Sequence, residues 1–268
     1  MKQAMIFAAG LGTRLKPLTD KTPKALIQVG GMPLLEHVIA KLKSAGVAHI
    51  VVNVHHHAQQ IVSYLENNGN FDIDIRISDE TEQLLETGGG LKKAEKLFRD
   101  DSPIIIHNVD ILDNIDYGWL SRQHLDSEDA VLVVSRRQTK RYLIFDKAMR
   151  LMGWTNIETG EIKSPYEWLR VPDDVSTDME NYTMTIRRGT ADIEFSIFAF
   201  SGIHSFSPRL FRLMDRFPER FPIMDFYLQT CHRTNIYGCI KNDLQIVDVG
   251  KLDSLDKAEE FLDRQGKQ

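Results

Sequence analysis

The chain has 268 residues, enough for one large or two small domains with ample material for a core. Its hydrophobic content of 42% and charged content of 26% are ordinary for a globular protein, and a net charge of −5 gives no global basic field to recruit nucleic acid, so any phosphate binding must be local. No stretch approaches the roughly 20 apolar residues of a membrane span.

The apolar run Ala4 to Ala8 predicts a buried parallel strand at the start of the chain. It feeds Ala9-Gly10-Leu11-Gly12-Thr13-Arg14-Leu15-Lys16-Pro17-Leu18-Thr19, closed by Pro23-Lys24. A glycine-rich turn at the carboxyl end of a strand lets backbone N–H groups approach a phosphate closely, because no Cβ stands in the way. The turn adds the Thr13 hydroxyl and two cations: Arg14 can fork onto phosphate oxygens, and Lys24 is a mobile point charge. A polyphosphate site is expected. A dinucleotide fingerprint would need glycine where the chain has Leu15, and Lys16-Pro17 argues against the helix that such a fingerprint opens. A Walker loop would need Gly-Lys-Ser/Thr, which Gly12-Thr13-Arg14 is not.

Helical periodicity covers Pro33 to Ser44, with apolar residues at Leu34, Leu35, Val38, Ile39 and Leu42, and stops at Gly46. His49 to Val54 reads as a strand, Ala58 to Leu65 as a helix and Phe71 to Ile77 as a strand. His55-His56-His57 suits a strand-to-helix turn better than a metal site, since adjacent histidines rarely aim at one ion. Leu85-Glu86-Thr87-Gly88-Gly89-Gly90 is a second glycine cluster, expected as a loop before a helix over Gly90 to Phe98. Pro103 to Asn108 reads as a fully buried strand. Strands and helices alternating at this spacing predict a parallel α/β sheet, whose ligands collect outside the carboxyl ends of the strands. Asp110, just past such an end, should point into the same crevice as the glycine loop, with a turn or helix cap as its alternative, while Asp113 and Asp116 read as solvated acids.

Beyond residue 115 the pattern loosens. Ala130 to Ser135 is a strand, Tyr142 to Phe145 and Arg150 to Trp154 can pair through a turn near Asp146, and Gly160 to Asp178 has no clear period. Residues 193 to 200 alternate as a strand with one apolar face. Ser207 to Met214 reads as a short capped helix, Asp225 to Cys231 as another, Leu244 to Val249 as a last strand carrying Asp248, and Ser254 to Leu262 as a terminal helix capped by Ser254. Trp119, Trp154 and Trp168 are expected to pack, and Lys163 to Asp178 is a candidate lid. Only Cys231 and Cys239 occur, which suits reduced thiols, and the apolar run after Met1-Lys2-Gln3 stops too soon for an export signal. A cytoplasmic protein is expected.

The string G-x-G-T-R-L-x-P-L-T followed by P-K-A-L resembles the sugar-1-phosphate nucleotidyltransferases, strongly over residues 4–115 and loosely over 193–262. That resemblance implies an α/β fold, a Rossmann-like, mainly parallel mixed sheet flanked by helices with a smaller β-rich sugar-binding lobe. One domain over 1–268 would then divide into a nucleotide lobe at 1–115, a sugar lobe at 116–243 and a returning strand and helix at 244–268. It implies that Arg14 and Lys24 neutralise the nucleotide phosphates, that Ala9, Gly10, Gly12 and Thr13 contact the triphosphate, and that Gly88 and Gly89 lie at the nucleobase. Asn108 and Gly202 would approach the sugar, and Asp110 and Asp248 would hold Mg²⁺. The middle of the chain lacks the Glu-Lys-Pro of many hexose-phosphate members, and its length is expected to leave out the C-terminal β-helix of acyltransferase-fused ones. In size and in its Glu-Thr-Gly-Gly-Gly segment the chain is similar to compact N-acetylmuramate-1-phosphate uridylyltransferases and short mannose-1-phosphate guanylyltransferases, which favours UTP or GTP with a sugar 1-phosphate. A cytidylyltransferase for phosphocholine or another phosphorylated alcohol shares the opening motif, and a nucleotide-sugar-binding regulator is the alternative without turnover. Base, sugar and oligomeric state, a homo-oligomer included, stay open.

Overall fold

The computed structural model describes residues 1–265. Four parallel strands form its nucleus in the order Asp74–Asp79, His49–Val54, Gln3–Phe7, Ile104–Asn108. The apolar runs that announced the three inner strands are buried on both faces, as in parallel sheets covered by helices, while the edge strand Asp74–Asp79 is only partly buried. Met5, Val51, Ile104 and Ile106 enter one core cluster, with Phe226 and Tyr227 of the helix Ile223–Thr230. Ala4, Ile6, Ile50, Val52 and Ile105 enter another, with Leu35, Val38, Ile39 and Leu42 of the helix Leu34–Ser44. The one-residue alternation of Cβ directions along a strand makes this division.

The long strand Ala191–Phe206 joins the two halves of the molecule. Its end, Ile203 to Phe206, pairs antiparallel with Ile104–Asn108, while Ser196 to Phe198 pair with Arg141–Phe145 and Ala191 to Ser196 with Thr183–Arg188. It also pairs antiparallel with Ala130–Ser135, with a register shift between Phe200 and His204. Gly202 lies in that irregularity at φ +84°, a conformation that glycine accepts without strain. The antiparallel strands Leu151–Asn156 and Glu161–Lys163 extend the sheet beyond Arg141–Phe145.

Several boundaries differ from the sequence reading. The strand expected from Phe71 begins at Asp74, because Asn70, Phe71 and Asp72 take left-handed backbone angles in a tight turn. The segment Gly160 to Asp178 is more regular than its composition suggested: Glu161–Lys163 is a strand, Glu167–Arg170 one helical turn, and Asp174–Asp178 an exposed strand paired with Thr183–Arg188. Ser207 makes no side-chain cap, and the helix after it splits into a 3-10 turn and Phe211–Met214. The last strand shortens to Ile246–Asp248. Ser254 closes a 3-10 turn through Lys251 before the helix Leu255–Gln265. No helix of the described residues is long and apolar enough to cross a membrane. Both cysteines are free thiols.

Candidate active site

The glycine loop leaves the carboxyl end of Gln3–Phe7 and is fixed at few points. The Ala8 amide donates to Asn53 Oδ1 (2.7 Å), Leu15 is fully buried, and the Thr19 hydroxyl donates to the Gly12 carbonyl (2.8 Å). Gly12 sits at φ +63°, and a Cβ there would stand 2.7 Å from Thr19 Cγ2, so only glycine lets the loop close on Thr19. Between these anchors Gly10, Leu11, Thr13 and Arg14 face an open crevice of about 510 Å³.

Pro23 opens the 3-10 turn Lys24–Leu26, which carries Lys24 inward until it is 8% exposed. Its ammonium meets the Asp110 carboxylate in a close charge-assisted contact. A buried ammonium without such a partner would be strongly disfavoured, so the pair holds both groups at the crevice floor. Asp248 arrives from the far end of the chain. Ile246–Asp248 pairs antiparallel with Ile111–Asp113, and the Val249 amide donates to the Asp110 carbonyl (2.8 Å). A Cβ on Gly250 would lie 2.6 Å from Asp248 Oδ1 and 2.8 Å from Arg14 Nη2, so these two side chains converge over a glycine that leaves them room. Desolvation in the crevice, then the Asp110 charge, raises the Asp248 pKa, against the pull of Lys24, Arg14 and Arg137.

Of the positions expected to form the site, Ala9, Gly10, Gly12, Thr13, Arg14, Lys24, Asn108 and Asp110 line this one crevice, and Asp248 adjoins it through Gly250. Gly202 stands behind it: its missing Cβ would be 2.9 Å from Asn108 Nδ2. Gly88 and Gly89 are not brought to the crevice. They belong to the helix Glu86–Ala94, which starts earlier than expected, so the glycine cluster is its first turns and not a loop. Their amides both donate to the Phe221 carbonyl (2.8 and 3.1 Å), which satisfies N–H groups that a helix start otherwise leaves free. A Cβ at Gly88 would be 2.3 Å from the Phe221 ring, and one at Gly89 would be 2.1 Å from the Glu219 carbonyl oxygen. The wall of the crevice on that side is instead Leu84, Glu86 and Thr87.

Sequence reasoning missed a buried network beneath the loop. Asn53 Nδ2 donates to Glu80 Oε1 (2.7 Å), and Glu80 Oε2 accepts from the Leu85 amide (3.0 Å). Glu80 is fully buried, and burial raises its pKa. Gly90 is the third glycine of the cluster because a Cβ there would stand 2.5 Å from Glu80 Oε1. A signal was present, since Asn53 and Glu80 lie at or just past the carboxyl ends of two parallel strands, where ligand sites gather. Asp113, read as a solvated acid, is likewise buried. It accepts from His107 Nε2 (3.1 Å), Tyr117 Oη (3.2 Å) and the Ile115 amide (2.7 Å), pairs with Lys41, and so braces the segment that follows Asp110. Asp116, the other acid so read, caps the helix Tyr117–Gln123 by accepting from the Gly118 amide.

The sequence profile of the nucleotidyl transferase family matches residues 3–144, more than half of the chain. The chain belongs to this family. Among curated relatives it is 44% identical over 111 residues to an N-acetylmuramate α-1-phosphate uridylyltransferase of Caulobacter vibrioides, covering 41% of this chain and 46% of that one. It is 36% identical over 134 residues to a mannose-1-phosphate guanyltransferase of Aspergillus oryzae, covering 49% of this chain and 36% of that one. These matches span less than half the length of either relative. In fold it is similar to an inositol-1-phosphate CTP transferase from T. maritima, with a TM-score of 0.71 at 14% identity over 98% of this chain and 96% of the other. The stretch that holds the loop, Lys24, Asn53, Glu80 and Asp110 is thus the nucleotidyl transferase segment itself; Asp248 and Gly250 come from outside it.

Proposed function

We propose that the chain transfers a nucleotidyl group from a nucleoside triphosphate to a sugar 1-phosphate, releasing pyrophosphate and a nucleotide-sugar. The observation that carries this reading is the convergence of Lys24, Arg14, Asp110 and Asp248 at the mouth of a glycine loop with free room above it. A phosphate oxygen of the sugar ester attacks the α-phosphorus; the bond from that phosphorus to the α,β-bridging oxygen breaks, and pyrophosphate leaves with its electron pair. The nucleophile is already an anion at neutral pH, so no general base is required, and catalysis reduces to positioning and charge stabilisation. Arg14 and Lys24 serve as the cations, and the amides and hydroxyl of Gly10 to Thr13 as the donors to the triphosphate. Asn108, with Gly202 behind it, faces the sugar side.

The donor set fits a hard divalent cation, for which Mg²⁺ is proposed. Asp110 and Asp248 offer carboxylate oxygens near enough for each charge to act on the other, and among the described residues no group of three or more His, Cys, Asp or Glu forms a complete cage. A cation held by two carboxylates and substrate phosphates is the expected arrangement for Mg²⁺, and its charge would offset that of the phosphates when bound. UTP and GTP are the favoured donors, because the curated relatives are named for those bases. In this reading residues 1–115 hold the nucleotide and 116–243 the sugar, and the two free thiols suit a cytoplasmic protein. The test is pyrophosphate exchange. With Mg²⁺, labelled pyrophosphate and a panel of UDP- and GDP-sugars, label should enter nucleoside triphosphate. No exchange with any donor, in a protein that still binds nucleotide-sugars, would favour the regulator.

A further inference from the structure

The crevice has two sides of different chemistry. Arg14, Lys24 and Asp110 stand on one, and Leu84, Glu86 and Thr87 form the wall on the other. That wall offers phosphate no cation, and its acid, Glu86, is paired with Arg220 outside the crevice, so it is left to the uncharged part of a nucleotide moored at the glycine loop. Loop and wall are joined by a run of three hydrogen bonds through two buried side chains. The Ala8 amide donates to Asn53 Oδ1 (2.7 Å), Asn53 Nδ2 donates to Glu80 Oε1 (2.7 Å), and the Leu85 amide donates to Glu80 Oε2 (3.0 Å). Each end is also held from its far side. The Phe7 carbonyl accepts from the Val109 amide (3.1 Å), next to Asp110, and the Leu85 carbonyl accepts from the Phe221 amide (3.2 Å). Glu80 is tied to the strand that carries Asn53, its amide donating to the Val54 carbonyl (2.8 Å).

Stability alone does not call for this pair. Asn53 is 2% exposed and Glu80 0%, and among the described residues hydrogen bonds and no ion pair hold the Glu80 carboxylate. A carboxylate buried in this way is less favourable than apolar side chains of similar volume. Gly90 leaves room for it: a Cβ there would stand 2.5 Å from Glu80 Oε1 and 2.9 Å from Asn53 Nδ2. What a fully satisfied polar network does supply is a single arrangement of the groups at its ends. The polarity of this run is fixed as well. Both of its ends are backbone donors, so the side chains between them must present an acceptor outward at each end and one donor inward, which Asn53 and Glu80 together do.

Resting on the nucleotidyl-transfer reading, we propose that Asn53 and Glu80 are positioning residues that fix the gap between the glycine loop and the wall at Leu84 to Thr87, and so set the affinity for the nucleoside triphosphate and the discrimination between its bases. They act through the Ala8 and Leu85 amides. Glu80→Gln keeps the shape but leaves one acceptor where two are needed, and Asn53→Asp sets two carboxylates against each other, so each substitution breaks the run. Together they mend it. In the double variant the new carboxylate at position 53 accepts from the Ala8 amide and from the new amide at position 80, whose oxygen accepts from the Leu85 amide. All three bonds return, with the middle one reversed.

The experiment measures KM and kcat from pyrophosphate release, and Kd by calorimetry, for UTP and GTP with Mg²⁺, at a temperature below the Tm of every variant. Each single variant should raise the KM and Kd of the preferred nucleotide about tenfold or more and bring the UTP-to-GTP ratio of kcat/KM toward one, and the double variant should recover the wild-type values. A merely structural pair would lower Tm in the single variants and leave KM, Kd and base preference where they were. That result, or a double variant no better than the singles, overturns the inference. Amide exchange on the wild type decides where a single variant does not fold: saturating UTP or GTP with Mg²⁺ should slow the Ala8 and Leu85 amides together, and slowing of one alone overturns the link. A wild type that binds nucleotide but releases no pyrophosphate with any sugar 1-phosphate counts against nucleotidyl transfer, while Kd and exchange still judge the pair.

Discussion

The glycine cluster and the glycine loop make opposite predictions for the same substitution. In Gly88→Ala the new methyl would stand 2.3 and 2.4 Å from two carbons of the Phe221 ring and 2.8 Å from the Phe221 carbonyl oxygen. The ring has little room to yield: Phe221 is 4% exposed and lies 5.0 Å, centre to centre, from Phe217. Overpacking of this kind costs about 1–3 kcal/mol, and a backbone atom among the contacts puts the cost at the upper end; replacing glycine by alanine within a helix returns up to about 1 kcal/mol. A net loss of about 2 kcal/mol lowers Tm by about 4–8 °C for a chain of this size. In Gly10→Ala no atom lies within 4 Å of the new methyl and φ is not positive, so Tm should stay within about 1 °C. The methyl does enter the space proposed for phosphate, and the KM for nucleoside triphosphate should rise roughly tenfold, equivalent to about 1.4 kcal/mol. Differential scanning fluorimetry and initial-rate assays on both variants decide. A Gly88→Ala protein with unchanged Tm and weakened nucleotide binding would refute the packing argument and return the cluster to the nucleotide.

Lys24→Ala and Arg14→Ala should each lower turnover by about 10²-fold or more, as loss of a charge-stabilising donor does; wild-type pyrophosphate release in both would detach the loop from the reaction. Asp110→Asn keeps the shape of the side chain and should abolish turnover with the circular dichroism spectrum intact, and a chelator should silence the wild type; activity insensitive to chelation would remove the cation from the scheme. Burial alone would push the Asp113 carboxyl up, but the hydrogen bond and charge of His107, then Lys41, hold it down to about 2 from 3.8. A depressed carboxyl contributes stability above its unfolded pKa and loses it as pH falls through the folded one, so on the order of 2 kcal/mol should vanish between about pH 4 and pH 2. Acid titration followed by circular dichroism should show that limb in the wild type and a flatter one in Asp113→Asn.

How far the structure could be read beforehand depended on whether a residue's role was local. The strands His49–Val54 and Ile104–Asn108 were visible because burial on both faces demands an unbroken apolar run. The loop residues from Ala9 to Arg14 were visible because a turn proposed to admit phosphate restricts many adjacent positions at once. The start of the helix Glu86–Ala94 was hidden, since three glycines in a row suggest a loop until Phe221, Glu219 and Glu80 are seen to fill the space of their missing side chains. Those partners are distant in sequence or, for Glu80, concealed by burial. The same holds for Asp113, whose acidity depends on Lys41 and His107, and for the strand Asp174–Asp178, whose five exposed residues form a strand only through Thr183–Arg188.

The balance of charge in the crevice links its geometry to the proposed chemistry. Arg14 and Lys24 bring two positive charges, and Asp110 and Asp248 bring two negative ones, so the four side chains together are nearly neutral. A nucleoside triphosphate at neutral pH carries several negative charges, and a neutral crevice with low-dielectric walls cannot hold it by these side chains alone. Either the carboxylates would have to be protonated, which the pKa of Asp248 approaches only in direction, or further positive charge must enter with the nucleotide. The contact between Lys24 and Asp110 shows why the second route suits this chain. Each group satisfies the other, Lys24 buried and Asp110 half-buried, so neither is left as an isolated charge before substrate arrives. A polyphosphate accompanied by a divalent cation offers both groups a new partner of opposite sign at once, the phosphate for Lys24 and the cation for Asp110. A lone anion would offer one to Lys24 and leave Asp110 uncompensated, so the pair favours the joint arrival of phosphate and cation over phosphate alone.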